Sequence, residues 1–296
     1  MIAPRVAVLM PTLGTRKRTP LLRRALASVV SQEGVHVTPI VVFNGPDVDS
    51  ELVEEVRGTG AVRTLRLPEA GLPAALRAGR RLVEDPLLSE LDDDDELLPG
   101  ALALRAAALE ARPECGAVVT NGIRRGGHGD ELHLRPDDDL ERDPLREMLR
   151  RNWLLPGSWL CRSAVLPESV FARMPSYLEN TYLGLTLATA VRIAFVLDRP
   201  TMVYHEDTPD SVSKSVEYLL GQEGALARIL ELDLPADVRR DYENRLGPAC
   251  HAAAAVLAER GDRTGAWKVL RRSFSYSRDR HALRATAKVA MATVRR

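Results

Sequence analysis

Residues 5–43 read RVAVLMPTLGTRKRTPLLRRALASVVSQEGVHVTPIVVF, and their pattern decides the fold class. Arg5 to Met10 is a short apolar run ending at Pro11, which reads as a buried strand. Thr19 is placed to cap a helix, with Pro20 in its first turn. Leu22, Ala25, Leu26, Val29 and Val30 then recur at helical spacing, and Gly34 ends the run. Val37 to Phe43 is a second buried strand, closed by Asn44-Gly45-Pro46.

The alternation continues outward. Val48 to Val56 reads as a helix stopping at Gly58, Val62 to Leu67 as a strand, and Gly71-Leu72-Pro73 as the start of a helix reaching Val83. Leu87 to Leu91 is the next central strand, although Ser89 and Glu90 suit one poorly. Leu97-Leu98-Pro99 leads into a helix through Ala111, and Ala117 to Thr120 is a further strand. Such short βα units predict an α/β fold, a Rossmann-like, mostly parallel sheet with helices on both faces and right-handed crossovers. From Gly122 to Asp143 glycines and charges predict a loop or hairpin excursion. Trp159 to Cys161, Ile193 to Leu197 and Met202 to Tyr204 are later strand candidates. Beyond Ser215 the chain reads as helical, with a Gly261-Asp262 turn between two helices, one tetratricopeptide-like hairpin without a repeat array. The expected division is a domain over 1–215 and a helical extension over 216–296.

The 296 residues are 45% hydrophobic and 28% charged, which predicts a packed core. Lys+Arg and Asp+Glu balance at 41 each, against a dedicated nucleic-acid binder. Cys115, Cys161 and Cys250 form no CxxC pair, so neither a disulfide framework nor a cysteine zinc site is expected. A strand pattern begins at once, leaving no room for a signal peptide, and Arg192 interrupts the longest apolar stretch. A cytoplasmic location is the expectation. The Ala, Arg and Leu content suggests a GC-rich bacterial source.

The acidic run Asp92-Asp93-Asp94-Asp95-Glu96 follows the Leu87–Leu91 strand. Crowded carboxylates repel unless something neutralises them, and Mg²⁺ or Mn²⁺ does so together with substrate phosphates. Ligands of open α/β sheets bind beyond the carboxyl ends of the strands, where this run falls. The plainer reading is a helix N-terminus, where Asp95 and Glu96 would stabilise the first turn.

Further motifs flank it: Pro11-Thr12 with Arg16 shortly after, Ser28-Val29-Val30-Ser31-Gln32, Phe43-Asn44-Gly45-Pro46-Asp47, and Ala70-Gly71-Leu72-Pro73-Ala74-Ala75 with Arg77 and Gly79. Leu91-Asp92-Asp93-Asp94-Asp95 precedes Glu96-Leu97-Leu98-Pro99-Gly100-Ala101-Leu102, and Pro156-Gly157-Ser158-Trp159-Leu160-Cys161-Arg162-Ser163 comes later. In this order they resemble the family 2 glycosyltransferases of the GT-A fold, over residues 5 to 215. The resemblance implies a metal-dependent, inverting transfer of a sugar from a UDP-, dTDP- or GDP-sugar. It puts Pro11, Thr12, Arg16, Asn44 and Arg77 at the nucleotide. Asp92 and Asp94 become the DxD pair, Asp94 on the metal and Asp92 towards the ribose or uracil side, with Asp93 counted beside Asp92 among the donor-binding residues.

The same resemblance marks Glu179-Asn180, where the family usually has Glu-Asp and the Asp is the general base. An amide has no useful basicity, so Glu179 inherits the role, or only stabilises a helix N-terminus. His205 would complete the metal shell or contact the diphosphate, against the commoner structural role of a lone histidine, and Ser211 and Ser213, with Lys214, would meet phosphate oxygens or cap the next helix. Trp153 and Trp159 are candidates to line the acceptor cleft, or core residues. The acceptor is open: a polysaccharide, a lipid-linked saccharide or a small metabolite. The basic C-terminal helices, with Arg260, Arg263, Lys268, Arg271, Arg272, Arg278, Arg280, Arg284 and Lys288, offer a peripheral membrane surface or a solvated face. Three alternatives stay open. A sugar nucleotidyltransferase should show a Gly-rich phosphate loop, which Leu13-Gly14-Thr15-Arg16-Lys17-Arg18 matches loosely. A non-catalytic sugar-nucleotide binder would fit Asn180, and a membrane-surface adaptor would fit the basic helices.

Overall fold

The computed structural model describes residues 3–208, 215–276 and 286. The chain forms two compact units: Met1–Met174 with Asn180–Thr208, and Pro175–Glu179 with Pro209–Arg296.

The first unit alternates as its apolar runs dictate: β1 (Arg5–Thr12), α1 (Thr19–Val30), β2 (His36–Asn44), α2 (Ser50–Gly58), β3 (Arg63–Leu67), α3 (Leu72–Arg80) and β4 (Leu87–Glu90). Then come β5 (Glu96–Leu97), α4 (Ala101–Ala111), β6 (Cys115–Gly126), β7 (Gly129–Leu132), α5 (Pro144–Arg150), β8 (Trp159–Arg162), α6 (Glu168–Arg173), α7 (Glu179–Ala190) and β9 (Arg192–His205). The strands form one sheet in the order β3-β2-β1-β4-β8-β6-β9-β5, with β7 paired to β6. The β3-β2-β1-β4 half is parallel, as is the long β6–β9 pairing. β8 runs antiparallel between β4 and β6. Period-two alternation sorts the strand residues. Val6, Val8 and Met10 join the core of Leu22, Leu26, Val29 and Leu102 from α1 and α4. On the other face Leu9, Ile40 and Val42 receive α3, whose Gly79 lets the helix come close: a Cβ there would lie 3.1 Å from Leu9 and Val42. Helices therefore cover both faces.

Several local expectations are corrected. Thr19 does not cap α1. It is the helix's first residue, because Arg16–Arg18 form a 3₁₀ turn and Arg18 takes the cap position. Asp95 and Glu96 lie in no helix's first turn, since α4 begins at Ala101 after Gly100 (φ 74°). Glu96 and Leu97 instead form β5, antiparallel to Val203 and Met202. The two late strand candidates are one strand, β9, which passes Pro200 by shifting register against β6. Ser89 does not weaken β4, because its Oγ donates to Trp159 O at 2.6 Å. The excursion after Gly122 begins as the β6–β7 hairpin.

The second unit holds α8 (Val216–Ile229), α9 (Ala236–Glu259) and α10 (Arg263–Ser273). Ala254, Ala258, Ala266 and Leu270 pack α9 against α10. Asp262 caps α10, accepting from Gly265 N. No helix among the described residues is long and apolar enough to cross a membrane.

Candidate functional site

The site grows from the carboxyl end of β4. Leu91 N donates to Leu9 O at 2.9 Å, carrying the β1–β4 pairing one residue further. The chain then turns, with Asp95 N bonded to Asp92 O at 3.2 Å, and this turn gathers the carboxylates. Asp93 points back into the protein. It accepts from the Thr12 hydroxyl and from Arg18 Nε, the latter at 2.8 and 3.0 Å. Arg18 also reaches Asp94 Oδ2, at 3.1 Å. Arg24 donates to Asp94 O, and its Nε lies 3.2 Å from Glu96 Oε1 as an ion pair without hydrogen-bond alignment.

Asp92, Asp94 and Asp95 form a triad whose ligand atoms all lie within 4.8 Å of one another. Asp92 and Asp94 keep part of their surface in solvent, while Asp95 is sealed. Asp95 Oδ1 accepts from His205 N at 2.9 Å, whereas Oδ2 is buried and has no partner. An orphaned buried carboxylate oxygen is costly, and oxygen donors this close suit a hard divalent cation. The residues therefore fit such an ion. Burial, and then the neighbouring carboxylates beginning with Glu90, hold the Asp92 carboxyl well above the usual range. Burial, and then Asp94, do the same to Asp95. Burial first, then Asp95, Asp92 and Asp94, push the Tyr204 phenol up to about 12.

The remaining candidates divide. His205 is brought to the cluster, but its Nε2 lies 2.9 Å from Glu96 Oε1. Pro11 and Thr12 end β1 beside Asn44 at the end of β2. Asn44 is fully engaged: Nδ2 donates to Thr12 O at 2.9 Å, and Oδ1 accepts from Gly71 N at the start of α3. Arg16 is mostly exposed and bonds Asp49. Arg77 pairs with Glu168 on α6. Ser211 and Ser213 lie outside the described residues, as do Lys214, Arg278, Arg280, Arg284 and Lys288. Trp153 and Trp159 do not line an open cleft; both are fully buried. Of the basic helical residues, Arg260 pairs with Glu217 and Arg272 with Glu223.

The Ser-x-x-x-Gln motif has a mechanical role. Ser28 Oγ accepts from Leu97 N at 3.0 Å. Gln32 bridges Leu98 O at 3.0 Å and Leu102 N at 3.2 Å, so α1 pins the chain leaving the cluster. Gly157 (φ 76°) packs on Leu91, where a Cβ would come within 2.6 Å of Leu91 Cδ1. Arg105, fully buried, donates to Gly157 O at 2.5 Å, Thr201 Oγ1 at 2.6 Å and Thr120 Oγ1 at 3.0 Å. Burial pushes its guanidinium down to about 9. Arg18, Arg24 and Arg105 were not distinguishable by sequence from the chain's other arginines.

Glu179 opens α7 and belongs to the second unit. Its Oε1 accepts from Tyr177 N at 2.8 Å. Burial raises its carboxyl above the ordinary value, against backbone hydrogen bonds that lower it.

The sequence model of Glycosyl transferase family 2 matches residues 7–166. No curated protein matches the chain. Among solved structures, S. aureus TarS 1-349 in complex with UDP-GlcNAc is similar, with a TM-score of 0.65 and 13% identity, covering 98% of this chain and 89% of that one. The mannosyltransferase PcManGT from Pyrobaculum calidifontis, in complex with GDP-Man and Mn²⁺, has a TM-score of 0.53 and 16% identity, covering 99% and 81%. At these identities the likeness shows the GT-A fold.

Proposed function

The chain belongs to glycosyl transferase family 2, and from that premise we propose a metal-dependent transfer of a sugar from a nucleoside-diphosphate donor to an acceptor hydroxyl, with inversion. The observation that carries this reading is the Asp92, Asp94 and Asp95 triad with its unpartnered Asp95 Oδ2. These three residues would hold Mn²⁺ or Mg²⁺, which when bound supplies a Lewis acid for the leaving diphosphate. The UDP-GlcNAc on TarS and the GDP-Man with Mn²⁺ on PcManGT support this donor class.

The chain's own residues divide the remaining work. Asp93, Thr12 and Arg18 lock the turn, so that Asp92 and Asp94 are presented rather than free to rotate. Pro11, Thr12 and Asn44 form the floor of the nucleotide pocket. His205 supports Asp95 through its backbone N–H and Glu96 through its ring. Glu179 takes the proton of the acceptor hydroxyl as that oxygen attacks the anomeric carbon. A carboxylate raised by burial is a stronger base than an exposed one. One direct displacement inverts the anomeric centre. Catalysis is assigned to residues 1–215 and a supporting role to the helices of 216–296. A lipid-linked acceptor would favour peripheral membrane contact through α10, where Trp267, Lys268 and Arg271 are exposed.

Calorimetric titration with UDP, dTDP and GDP, with and without Mn²⁺, tests the donor site on wild type and Asp94→Ala. Metal-dependent binding of one nucleotide, lost in Asp94→Ala, is expected. Absence of binding by all three nucleotides into the millimolar range would sink the reading.

A further inference from the structure

Tyr177 and Leu178, immediately before Glu179, both adopt left-handed backbone, with φ of 71° and 56°. Non-glycine residues in that region cost about 1–3 kcal/mol each and persist only where their surroundings impose them. The imposing contacts come from α8. Gly221 presents bare backbone to the Tyr177 ring, and a Cβ built there would collide with Cδ2 and Cε2. Tyr218, three residues earlier and on the same helix face, meets Tyr177 edge-on, with centroids 5.6 Å apart at 83°. Ser215 fixes the start of α8 by accepting from Tyr218 N at 3.1 Å. Tyr177 N in turn donates to Glu179 Oε1 at 2.8 Å. One train of contacts thus runs from the helix through the ring and the left-handed pair to the carboxylate.

We infer that the Tyr177–Gly221 seat is a positioning device that holds the Glu179 carboxylate for proton abstraction, so that α8 contributes to catalytic geometry. This rests on reading Glu179 as the general base. The seat requires glycine at 221, because a Cβ there would collide with the Tyr177 ring. Gly224 on the same helix shows the contrast, since a Cβ there meets nothing within 4 Å. Tyr218 is the titratable group of α8 that senses Glu179, its phenol raised by burial first and then by that carboxylate.

The full chain carries the test as Gly221→Ala, Gly224→Ala and Glu179→Gln. The Glu179 carboxyl titration is followed by ¹³C NMR, with Glu179→Gln identifying its signal. Release of nucleoside diphosphate from UDP-GlcNAc or GDP-mannose, whichever is turned over, gives kcat and KM. In Gly221→Ala the Glu179 carboxyl should lose the Tyr177 N–H bond that lowers it, so its titration should move further above the ordinary glutamate range, and kcat should drop about 10- to 100-fold with KM unchanged. Gly224→Ala should match wild type in every readout. If Gly221→Ala melts early, Leu178→Gly replaces it: glycine accepts φ of 56° without strain, so the fold is kept while the turn loosens and kcat falls severalfold. Unchanged titration and kcat in Gly221→Ala, or in folded Leu178→Gly, with Glu179→Gln inactive, would overturn the positioning role alone. Full turnover by Glu179→Gln would overturn the base assignment and the positioning role with it.

Discussion

Arg18→Met tests how the acidic turn is held. Arg18 faces Asp93 with Nε at 2.8 and 3.0 Å from the two oxygens, and reaches Asp94 at 3.1 Å. Its side chain is 18% exposed and that of Asp93 only 5%. At about 3 Å and an effective dielectric constant of about 20, one such pair is worth roughly 5 kcal/mol of gross attraction. Desolvation of the guanidinium offsets part of this, and removing one partner of a buried pair typically costs about 3–5 kcal/mol. The partial exposure places the expected loss at the lower end, about 3 kcal/mol, roughly a hundredfold in the folding equilibrium. Methionine keeps the apolar stem, so the loss reports charge rather than packing. Urea denaturation in metal-free buffer at neutral pH measures it, in a cycle with Asp93→Asn and the double variant. A coupling of about 2 kcal/mol between the two sites is expected, with the double variant more stable than the sum of the singles predicts. Added Mn²⁺ should stabilise Arg18→Met less than wild type, because the turn that presents Asp92 and Asp94 is no longer locked. A coupling below about 0.5 kcal/mol would refute the claim that this pair locks the turn.

Three further outcomes follow from the same geometry. Asp95→Asn keeps an acceptor for His205 N but removes the charge of the orphaned oxygen; metal-dependent nucleotide affinity should fall about 100-fold or more by calorimetry. Because burial raises the Asp95 carboxyl, metal-free stability is lost as pH rises above the ordinary aspartate range, so Asp95→Asn should melt higher than wild type in chelator at neutral pH. His133 has both ring nitrogens buried without a hydrogen bond, and burial, aided by Arg124, lowers it from 6.5 to about 4 against weaker pulls from the Asn152 backbone and Glu206. The unfolded chain therefore takes up the proton first, and up to about 3 kcal/mol of stability, complete above pH 6.5, should disappear as pH falls to 4. His133→Phe should flatten that limb in denaturation measured across the same range. Gln32→Leu strands Leu98 O and Leu102 N and should cost about 1–3 kcal/mol in urea denaturation.

The parts of this fold that were legible in sequence are those governed by local chemistry. Apolar runs bounded by Pro11, Gly45 and Gly71 gave the strands and helices of the β3-β2-β1-β4 half, because burial on both faces of a parallel sheet demands such runs. β5 escaped because a two-residue strand has no periodicity, and only its pairing with β9 defines it. β9 looked like two strands because Asp198-Arg199-Pro200 breaks the apolar pattern, while the backbone absorbs the break as a register shift. Arg16 and Arg18 are equivalent in sequence. A 3₁₀ turn rotates one to Asp49 and the other to Asp93, and tertiary context alone sets that rotation. The left-handed pair at Tyr177 and Leu178 was invisible for the same reason, since neither residue favours the conformation its neighbours impose.

The acidic turn separates two uses of one residue type. Asp93 is indistinguishable from its neighbours in the run, yet its oxygens are taken by Thr12 and Arg18 and it serves the fold. Asp92, Asp94 and Asp95 converge instead, and burial with mutual repulsion raises the carboxyls of Asp92 and Asp95. Selection for stability alone would replace Asp95 by a neutral residue or give Oδ2 a donor. Arg24 is close enough to pair with Glu96 and to bond Asp94 O, and still leaves Oδ2 unpartnered. A carboxylate kept costly beside an available arginine suits the donor set of a hard divalent cation. The same reasoning applies to the strained turn before Glu179, where Gly221 gives up helix propensity to seat a ring. The first departure falls on a proposed metal ligand and the second on the turn just before the proposed base, where strain of this kind is expected to collect.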